Sequence, residues 1–188
     1  GEFLTVSLLK EKGYDPMVYR FFCLQSHYRK SLVFSYENLD NAAGAYDKLI
    51  ARVAHLLAET QGEIDKAAYD ELMKGFTAAL DNDLNTSLAV TAVYDVLKAD
   101  TTAATKLALI GEFDKVLSLG IIDHAKKLSA KNESADDDIP EEIKTLAEQR
   151  KEARKAKDFA LADSLRDKIA ELGYVIEETR QGTKITKK

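Results

Sequence analysis

The chain contains 188 residues, of which 45% are hydrophobic and 31% are charged, with only 2 prolines. This composition is typical of a globular protein rich in helix and excludes an intrinsically disordered chain. No apolar run approaches the roughly 18 residues of a membrane span, and the first residues lack the pattern of a secretory signal, so we expect an intracellular protein. The single cysteine, Cys23, cannot close an internal disulfide, and the three scattered histidines predict no metal centre.

The charge is unevenly distributed along the chain. The net charge is −5, but residues 144–188 contain 12 basic and 8 acidic residues, against 15 basic and 24 acidic residues before them. A local surplus of cations attracts polyanions such as nucleic acids. If the chain binds a polyanion, we therefore expect its C-terminal part to do so.

Helix signals begin at the N-terminus. Thr5 is a suitable N-cap for a short helix that Gly13 would end, and Asp15 precedes Pro16 at the start of a second helix. Ser35 can cap a long helix whose apolar residues recur every three or four positions. We treat residues 1–35 as a connecting segment that leads into this long helix.

The middle of the chain continues with amphipathic helices, predicted at residues 67–80, 86–97 and 105–119. Short connections between such helices favour an antiparallel helical bundle, which we assign to residues 36–124. Residues 125–139 contain one large apolar residue and a cluster of acids, a composition that predicts an acidic linker.

The last part, residues 140–188, is predicted to be a small α+β module. Pro140 predicts a helix start, and a second predicted helix carries apolar residues from Phe159 onward and stops at Gly173. The stretch YVIEETRQGTKIT then indicates two short strands around a turn at Gln181 and Gly182. The fold class is therefore mainly α, a helical bundle followed by a helical hairpin and a β-hairpin.

No catalytic machinery can be assembled from these residues, since a phosphate-cradling glycine loop, a Ser/His/Asp arrangement and paired metal ligands are all missing from the sequence. The residues most suggestive of binding lie in the stretch RKEARKAKDFALADSLRDKI. Arg150, Arg154 and Lys157 fall at i, i+4 and i+7, as contacts to a phosphate backbone require. Charged helices of this kind are also often plain solvated surfaces.

Two features beyond the cations point to base recognition. Phe159 stands near the hairpin corner and could stack on a base, although its helical spacing also makes it a core candidate. Asp163 and Arg166, one turn apart, could supply a hydrogen-bond acceptor and a donor. A carboxylate has no use against phosphate but can accept from the donors of a guanine edge, so residue types alone leave both interpretations open.

Four segments of the chain match known sequence motifs in order. They are GEFLT (1–5), SHYRKSLVFS (26–35), DLNT (83–86) and EARKAKDFALADSLRDKIAELG (152–173) with QGT. The second and third are similar to S-x-H-Y-R-x-x-L-x-F-S and D-D-L-N-T, and the fourth is close to E-A-R-x-x-K-(D/N)-(F/W)-x-x-A-D-x-x-R-D-x-L. These motifs, with a first segment that looks like the one following a K-M-S-K-S catalytic loop, make the chain resemble the C-terminal part of bacterial cysteinyl-tRNA synthetase, a class I aminoacyl-tRNA synthetase.

The resemblance implies a helical bundle of the class I anticodon-binding type, followed by a module that holds the anticodon loop. It also implies that a catalytic domain lies upstream, so that ATP, magnesium and zinc belong there and this chain has no cofactor of its own. The whole enzyme would use ATP to attach cysteine to its tRNA in the cytoplasm. The implied partners are cysteine tRNA, through its anticodon stem-loop, and the catalytic domain of the same chain, with no membrane and no DNA.

The resemblance also implies roles for individual residues in anticodon binding. Arg154 matches an arginine that contacts anticodon bases, Phe159 the stacking aromatic, and Asp163 a carboxylate that reads a base edge, with Arg166 beside it. Glu178 falls where an acidic residue near the β-hairpin serves a similar purpose. Phosphate contacts are expected from Arg150, Lys157, Lys184 and Lys187.

One departure and one ambiguous segment qualify this match. Where the family often ends in Q-G-T-x-W-R, this chain has Ile185 and Thr186 in place of the aromatic and the arginine. His27 and Arg29 lie in a segment that joins the catalytic side to the bundle, and a packing role or a contact with the inner corner of tRNA is expected for them.

Two other functions remain compatible with the residues. A related ligase that joins cysteine to an amino sugar in thiol biosynthesis shares the bundle, but it has no use for the module at residues 140–188. A non-enzymatic helical module could instead dock a basic protein on its acidic bundle, and it would show no preference among RNAs.

Overall fold

A computed structural model describes residues 4–137, 140–156, 158–179 and 182–187, without the side chains of residues 132–137, 177–179, 182–184 and 186. The described chain is mainly helical, which confirms the predicted fold class at that level. The elements are α1 Val6–Glu11, α2 Pro16–Leu24, α3 Tyr36–Ala58, α4 Lys66–Asp81, α5 Thr86–Lys98, α6 Ala103–Leu117, α7 Ile121–Asp137, α8 Glu141–Lys155, α9 Phe159–Glu171, β1 Tyr174–Thr179 and β2 Gly182–Lys187.

The first three helices begin where the sequence places their caps. The side chains of Thr5, Asp15 and Ser35 accept hydrogen bonds from the backbone N–H groups of Leu8, Met17 and Asn38. Each bond satisfies one of the N–H groups that have no partner inside the helix, so a short polar side chain at this position fixes the start of the helix. These caps confirm the predicted helix starts.

The chain divides into two compact units, an N-terminal unit that ends at Ala130 and a C-terminal unit that begins at Lys131. The boundaries differ from the predicted ones at two places. The predicted connecting segment is not separate, because Leu9, Val18 and Phe21 are buried in the same core as the long helix α3. Amphipathic helices bury their apolar stripe wherever a partner is available, and α1 and α2 find it here.

The second difference concerns the predicted acidic linker, where the structure has helix α7 as far as Asp137. Ile121 and Ala125 are fully buried, and Leu128 packs against the same core. This i, i+4, i+7 stripe holds the first turns of α7 on the N-terminal unit. The remainder of the helix contains no glycine or proline that would stop it.

The N-terminal unit has an extensive core made by α1 to α7. Phe76 and Phe113 stack with ring centroids 4.0 Å apart, and Tyr46 is buried with its hydroxyl donating to the carbonyl of Leu119 at 2.7 Å. The hydroxyl of Tyr46 also lies 2.6 Å from Nδ1 of His124. Close packing of large side chains and a satisfied buried hydroxyl together stabilise this core.

The C-terminal unit is a helical hairpin with a two-stranded antiparallel sheet. Strand β1 pairs with β2 in a register that sets Tyr174 opposite Lys187 and Ile176 opposite Ile185. The buried core is small, and Tyr174, Ile176 and Ile185 pack against it from the sheet. Ile185 thus contributes to packing. The buried members of this core are Ile143, Leu146, Ala147, Leu165 and Ile169.

None of the helices in the part of the chain that the structure describes has the length and apolar character of a membrane span.

Candidate nucleic-acid interface

Helix α9 carries three of the predicted site residues on one side. Its inner face buries Ala162, Leu165 and Ile169. Phe159, Asp163 and Arg166 follow at i, i+4 and i+7, and all three are exposed. Residues at this spacing share one helical face, so we call these three residues the α9 face.

Phe159 is the first residue of α9, and 62% of its surface is exposed. The helix starts there because the side chain of Asp158 accepts a hydrogen bond from the N–H of Leu161 at 3.1 Å. The exposure excludes the alternative that Phe159 is a core residue. An exposed aromatic ring on a charged helix is available to stack on a planar ligand.

The two charged members of the α9 face are linked to each other. Arg166 lies 3.4 Å from an oxygen of Asp163 and 3.4 Å from an oxygen of Asp167, and more than half of each side chain is exposed. Ion pairs this exposed contribute little to stability, because water solvates both charges well. The ion pair between Asp163 and Arg166 can therefore break at little cost, and both side chains can then form hydrogen bonds to the polar edge of a ligand.

Arg154 lies in the last turn of α8 and is exposed, at the same hairpin corner as Phe159. The corner is tight, since the N–H of Asp158 donates to the carbonyl of Ala153 at 2.9 Å. A base stacked on the ring of Phe159 would thus lie close to a helix end that carries an arginine.

Arg150 requires a correction, because it is a buried residue with only 9% of its surface exposed. It follows Ile143, Leu146 and Ala147 on the inner stripe of α8, at the spacing that faces α9. In the sequence the positive charge suggested a solvent-facing role, but the helical position decides the burial. A phosphate contact from Arg150 is not compatible with this placement.

The remaining predicted contacts are only partly described. Lys187 ends strand β2 and is exposed. Glu178 and Lys184 lie in β1 and β2, where Glu178 pairs with Thr183 and Lys184 with Glu177, and their side chains lie outside the described part. Lys157 also lies outside the described residues. The contacts expected from Glu178, Lys184 and Lys157 therefore stay predictions.

A groove of about 340 Å³ on the helical hairpin was not predicted from the sequence. It is lined by Gln149, Glu152, Ala156 and Leu161, among others, and by none of the predicted site residues. The sequence feature that could have indicated this groove is Leu161, an exposed apolar residue outside the inner stripe of α9. Its position two residues from Phe159 places it on a different side of the helix.

His27 and Arg29 belong to a polar cluster in the N-terminal unit. Nε of Arg29 lies 2.6 Å from one oxygen of Asp83, and its Nη2 donates to the other at 3.0 Å. The hydroxyl of Tyr28 also donates to Asp83, at 2.7 Å, and the ring of His27 stacks on that of Tyr28. We call the group of Tyr28, Arg29 and Asp83 the Asp83 clasp.

The Asp83 clasp joins two of the four segments on which the family resemblance depends. Hydrogen bonds from Arg29 and then from Tyr28 hold the pKa of the Asp83 carboxyl below its ordinary value. Asp83 and Leu84 both have left-handed backbones, with φ of 55° and 50°, which is strained for residues with side chains. The clasp thus stabilises a strained turn before α5. Neither of the two segments contains a sequence pattern that predicts this role.

In the part of the chain that the structure describes, no three His, Cys, Asp or Glu side chains are grouped as metal ligands.

Comparisons with known proteins match the C-terminal part of the chain to one family model. Residues 136–185 match the family model described as the cysteinyl-tRNA ligase anticodon binding domain. This range contains every predicted anticodon-binding residue from Arg154 to Glu178.

Curated relatives match nearly the whole chain. The chain is 38% identical to the cysteine–tRNA ligase of Novosphingobium aromaticivorans, over 94% of its own length and 36% of that protein. The cysteine–tRNA ligase of Caldicellulosiruptor saccharolyticus is 37% identical, over 98% of the chain and 41% of the relative. That of Brevibacillus brevis is 32% identical, over 100% of the chain and 42% of the relative.

The chain therefore spans between 36% and 42% of the length of these relatives. The matching family model and the relatives together show that the chain is similar to the C-terminal part of these longer cysteine–tRNA ligases.

Proposed function

We propose that the chain is the tRNA-binding, anticodon-recognising part of a cysteine–tRNA ligase. In this proposal the N-terminal unit is a helical bundle of the class I anticodon-binding type, and residues 140–188 form the anticodon-recognition module. The whole enzyme uses ATP to attach cysteine to its tRNA, and this chain supplies recognition and no catalytic group. The activity of the similar cysteine–tRNA ligases and the match to an anticodon binding domain support the proposal.

The observation that carries the proposal is the exposed ring of Phe159 on the same face as Asp163 and Arg166. An exposed aromatic ring gains by stacking on a base, an interaction worth about 1 to 3 kcal/mol per base in single-stranded complexes. A ring alone does not distinguish bases, because every base has an aromatic face. Discrimination must come from the polar groups beside it.

Asp163 is suited to that task. Its carboxylate accepts hydrogen bonds, and guanine presents N–H donors on the edge that pairs with cytosine in a duplex. We propose that Asp163 reads the guanine of the cysteine anticodon GCA, with Arg154 and Arg166 as donors to neighbouring acceptors and Glu178 in a similar accepting role. Lys157, Lys184 and Lys187 would contact phosphates, while Arg150 remains inside the hairpin.

The proposed function also implies the binding partners of the chain. The chain binds the anticodon stem-loop of cysteine tRNA and is connected to a catalytic domain, to which ATP, magnesium and zinc belong. His27 and Arg29 act in packing or at the inner corner of the tRNA, and the Asp83 clasp supports the packing role. The protein works in the cytoplasm, with neither DNA nor a membrane as a partner.

The two other functions are less well supported. A cysteine:amino-sugar ligase has no use for an anticodon module, whereas residues 136–185 match one. A protein-interaction module would not need an exposed aromatic ring beside a carboxylate and an arginine on one helical face. Preference among RNAs separates that function from the proposed one.

The test is fluorescence anisotropy with an anticodon stem-loop carrying GCA and a second one in which the guanine is replaced, at one fixed low salt concentration. We expect at least tenfold weaker binding of the second RNA, which corresponds to about 1.4 kcal/mol. Phe159→Ala should weaken binding of both RNAs, and Asp163→Ala should abolish the discrimination between them. Leu161→Ala, an exposed apolar truncation on another side of α9, serves as the matched control.

Unchanged affinity in both Phe159→Ala and Asp163→Ala would overturn the proposal. Equal binding of the two stem-loops by the unaltered chain would show that the α9 face is a charged surface that does not recognise a base.

A further inference from the structure

A second groove lies in the N-terminal unit, between α3 and α5, far in the sequence from the α9 face. It has a volume of about 290 Å³. Helix α3 contributes Asn41, Gly44, Lys48 and Arg52, which fall on one side of the helix, and α5 contributes Tyr94. The groove belongs entirely to the N-terminal unit, so its shape depends on the large core of that unit.

Lys48 and Arg52 place two positive charges on this groove, one helical turn apart. Like charges at i and i+4 destabilise a helix by a few tenths of a kcal/mol. Within the described residues neither side chain forms an ion pair, whereas Arg29 and Lys115 of the same unit do. These two cations lack a carboxylate partner in the described part of the chain, although acids outnumber bases in this unit, where residues 1–130 contain 18 acidic and 14 basic residues.

The carboxylate that also lines the groove is engaged elsewhere. An oxygen of Asp40 accepts a hydrogen bond from the hydroxyl of Tyr14. This bond holds the carboxylate toward the connection between α1 and α2. Asp40 also lies eight residues, about two helical turns, before Lys48 on α3. The end of the groove that contains Lys48 and Arg52 therefore remains positively charged.

Tyr94 adds a neutral donor to the same end. Its phenol is half-buried, and burial raises its pKa while the charge of Arg52 lowers it, with burial as the larger effect. The hydroxyl thus keeps its proton at neutral pH, and it has no hydrogen-bond partner among the described residues. An O–H donor beside two cations forms a surface that fits an oxyanion.

Gly44 leaves room for such a ligand. A Cβ built on Gly44 would meet nothing within 4 Å, and the neighbouring lining residue of α3 is the small Ala45. A bulky ligand can therefore approach the α3 backbone closely at this point. The exposed arms of Lys48 and Arg52 can reach over it from the next turns of the helix.

We propose that this groove binds a phosphate of an RNA backbone, with Lys48 and Arg52 supplying the charge and the hydroxyl of Tyr94 a hydrogen bond. Contacts of this type hold a nucleic acid in position without reading its sequence. The inference rests on the proposed function only in taking RNA as the partner, and it assigns a contact of the N-terminal unit that does not involve the α9 face.

The test measures binding of an RNA hairpin whose loop carries no anticodon sequence, over a series of salt concentrations. Each neutralised phosphate contributes about 0.9 to the slope of log K against log salt on a duplex. We expect Lys48→Gln combined with Arg52→Gln to lower that slope by about 2 for the whole chain. Lys126→Gln combined with Lys127→Gln, an equal change of charge on α7, should leave the slope nearly unchanged.

Tyr94→Phe keeps the ring and removes only the hydroxyl, and it should weaken binding of all RNAs by a similar factor. Equal slopes for the unaltered chain and the Lys48/Arg52 variant would overturn the inference, while leaving the discrimination between stem-loops at the α9 face intact. An acidic peptide that binds the unaltered chain but not this variant, with hairpin binding the same in both, would assign the groove to a protein partner and also overturn it.

Discussion

The two units of the molecule differ in how much core supports their functional surfaces. The N-terminal unit buries side chains from seven helices, including the stacked pair Phe76 and Phe113. The C-terminal unit has a small cluster of buried residues centred on Ile169. Small cores provide little excess stability, so the α9 face lies on the more fragile support. Binding at that face and folding of the helical hairpin should therefore be strongly linked.

Truncation of the small core should produce the largest effect. Ile169→Ala removes a fully buried side chain, and such changes cost about 2 to 5 kcal/mol, enough to unfold a marginal unit. We expect amide hydrogen exchange to lose protection in residues 141–176 while α3 to α6 stay protected. Leu172→Ala, an exposed apolar truncation in the same unit, should have almost no effect. Equal loss of protection in both units would refute the contrast between them.

An intermediate effect is expected from the cap of α9. Asp158→Ala removes the side chain that accepts from Leu161, at a cost of about 1 kcal/mol. Asp65→Ala removes the equivalent cap of α4, which accepts from Ala68 at the same 3.1 Å. Both variants should lose similar stability in thermal unfolding, but only Asp158→Ala should weaken stem-loop binding, because Phe159 is the first residue of α9. Equal loss of RNA binding in the two variants would contradict the expectation that the Asp158 cap positions the ring of Phe159.

The smallest effect is expected at the Asp83 clasp, because its charges are exposed. Hydrogen bonds from Arg29 and Tyr28 lower the pKa of Asp83 below its ordinary value, so the stabilisation is present at neutral pH and is lost as the pH falls through that lowered pKa. The midpoint of thermal unfolding should be higher for the unaltered chain than for Asp83→Asn near neutrality. The two midpoints should converge in acid, and a difference that persists at low pH would show that the carboxylate charge is not its cause.

Local signals were the part of the fold that the sequence predicted well. The caps at Thr5, Asp15 and Ser35 depend only on residues within three positions, and each lies at the helix start that it predicted. The left-handed Gly173 follows α9 for the same local reason, since glycine adopts a positive φ at little cost. Phe159 and Asp163 were likewise identified as candidates from the sequence.

Signals that depend on distant packing were not predictable in this way. The burial of Arg150 follows from the face of α8 that meets α9, and its charge suggested the opposite. The bond between Arg29 and Asp83 joins residues 54 positions apart, and nothing in either segment indicates the other. Helix α7 continues through an acid-rich stretch because its first turns are anchored by burial of Ile121 and Ala125.

The exposure of Phe159 has a practical consequence for spectroscopy. The chain contains no tryptophan, so Phe159→Trp would introduce a single indole fluorophore at the hairpin corner, without disturbing the core. Its emission would come from one known position, with only tyrosine as background. Quenching or a spectral shift on mixing with RNA would then report contact at that corner in real time and without a label on either partner.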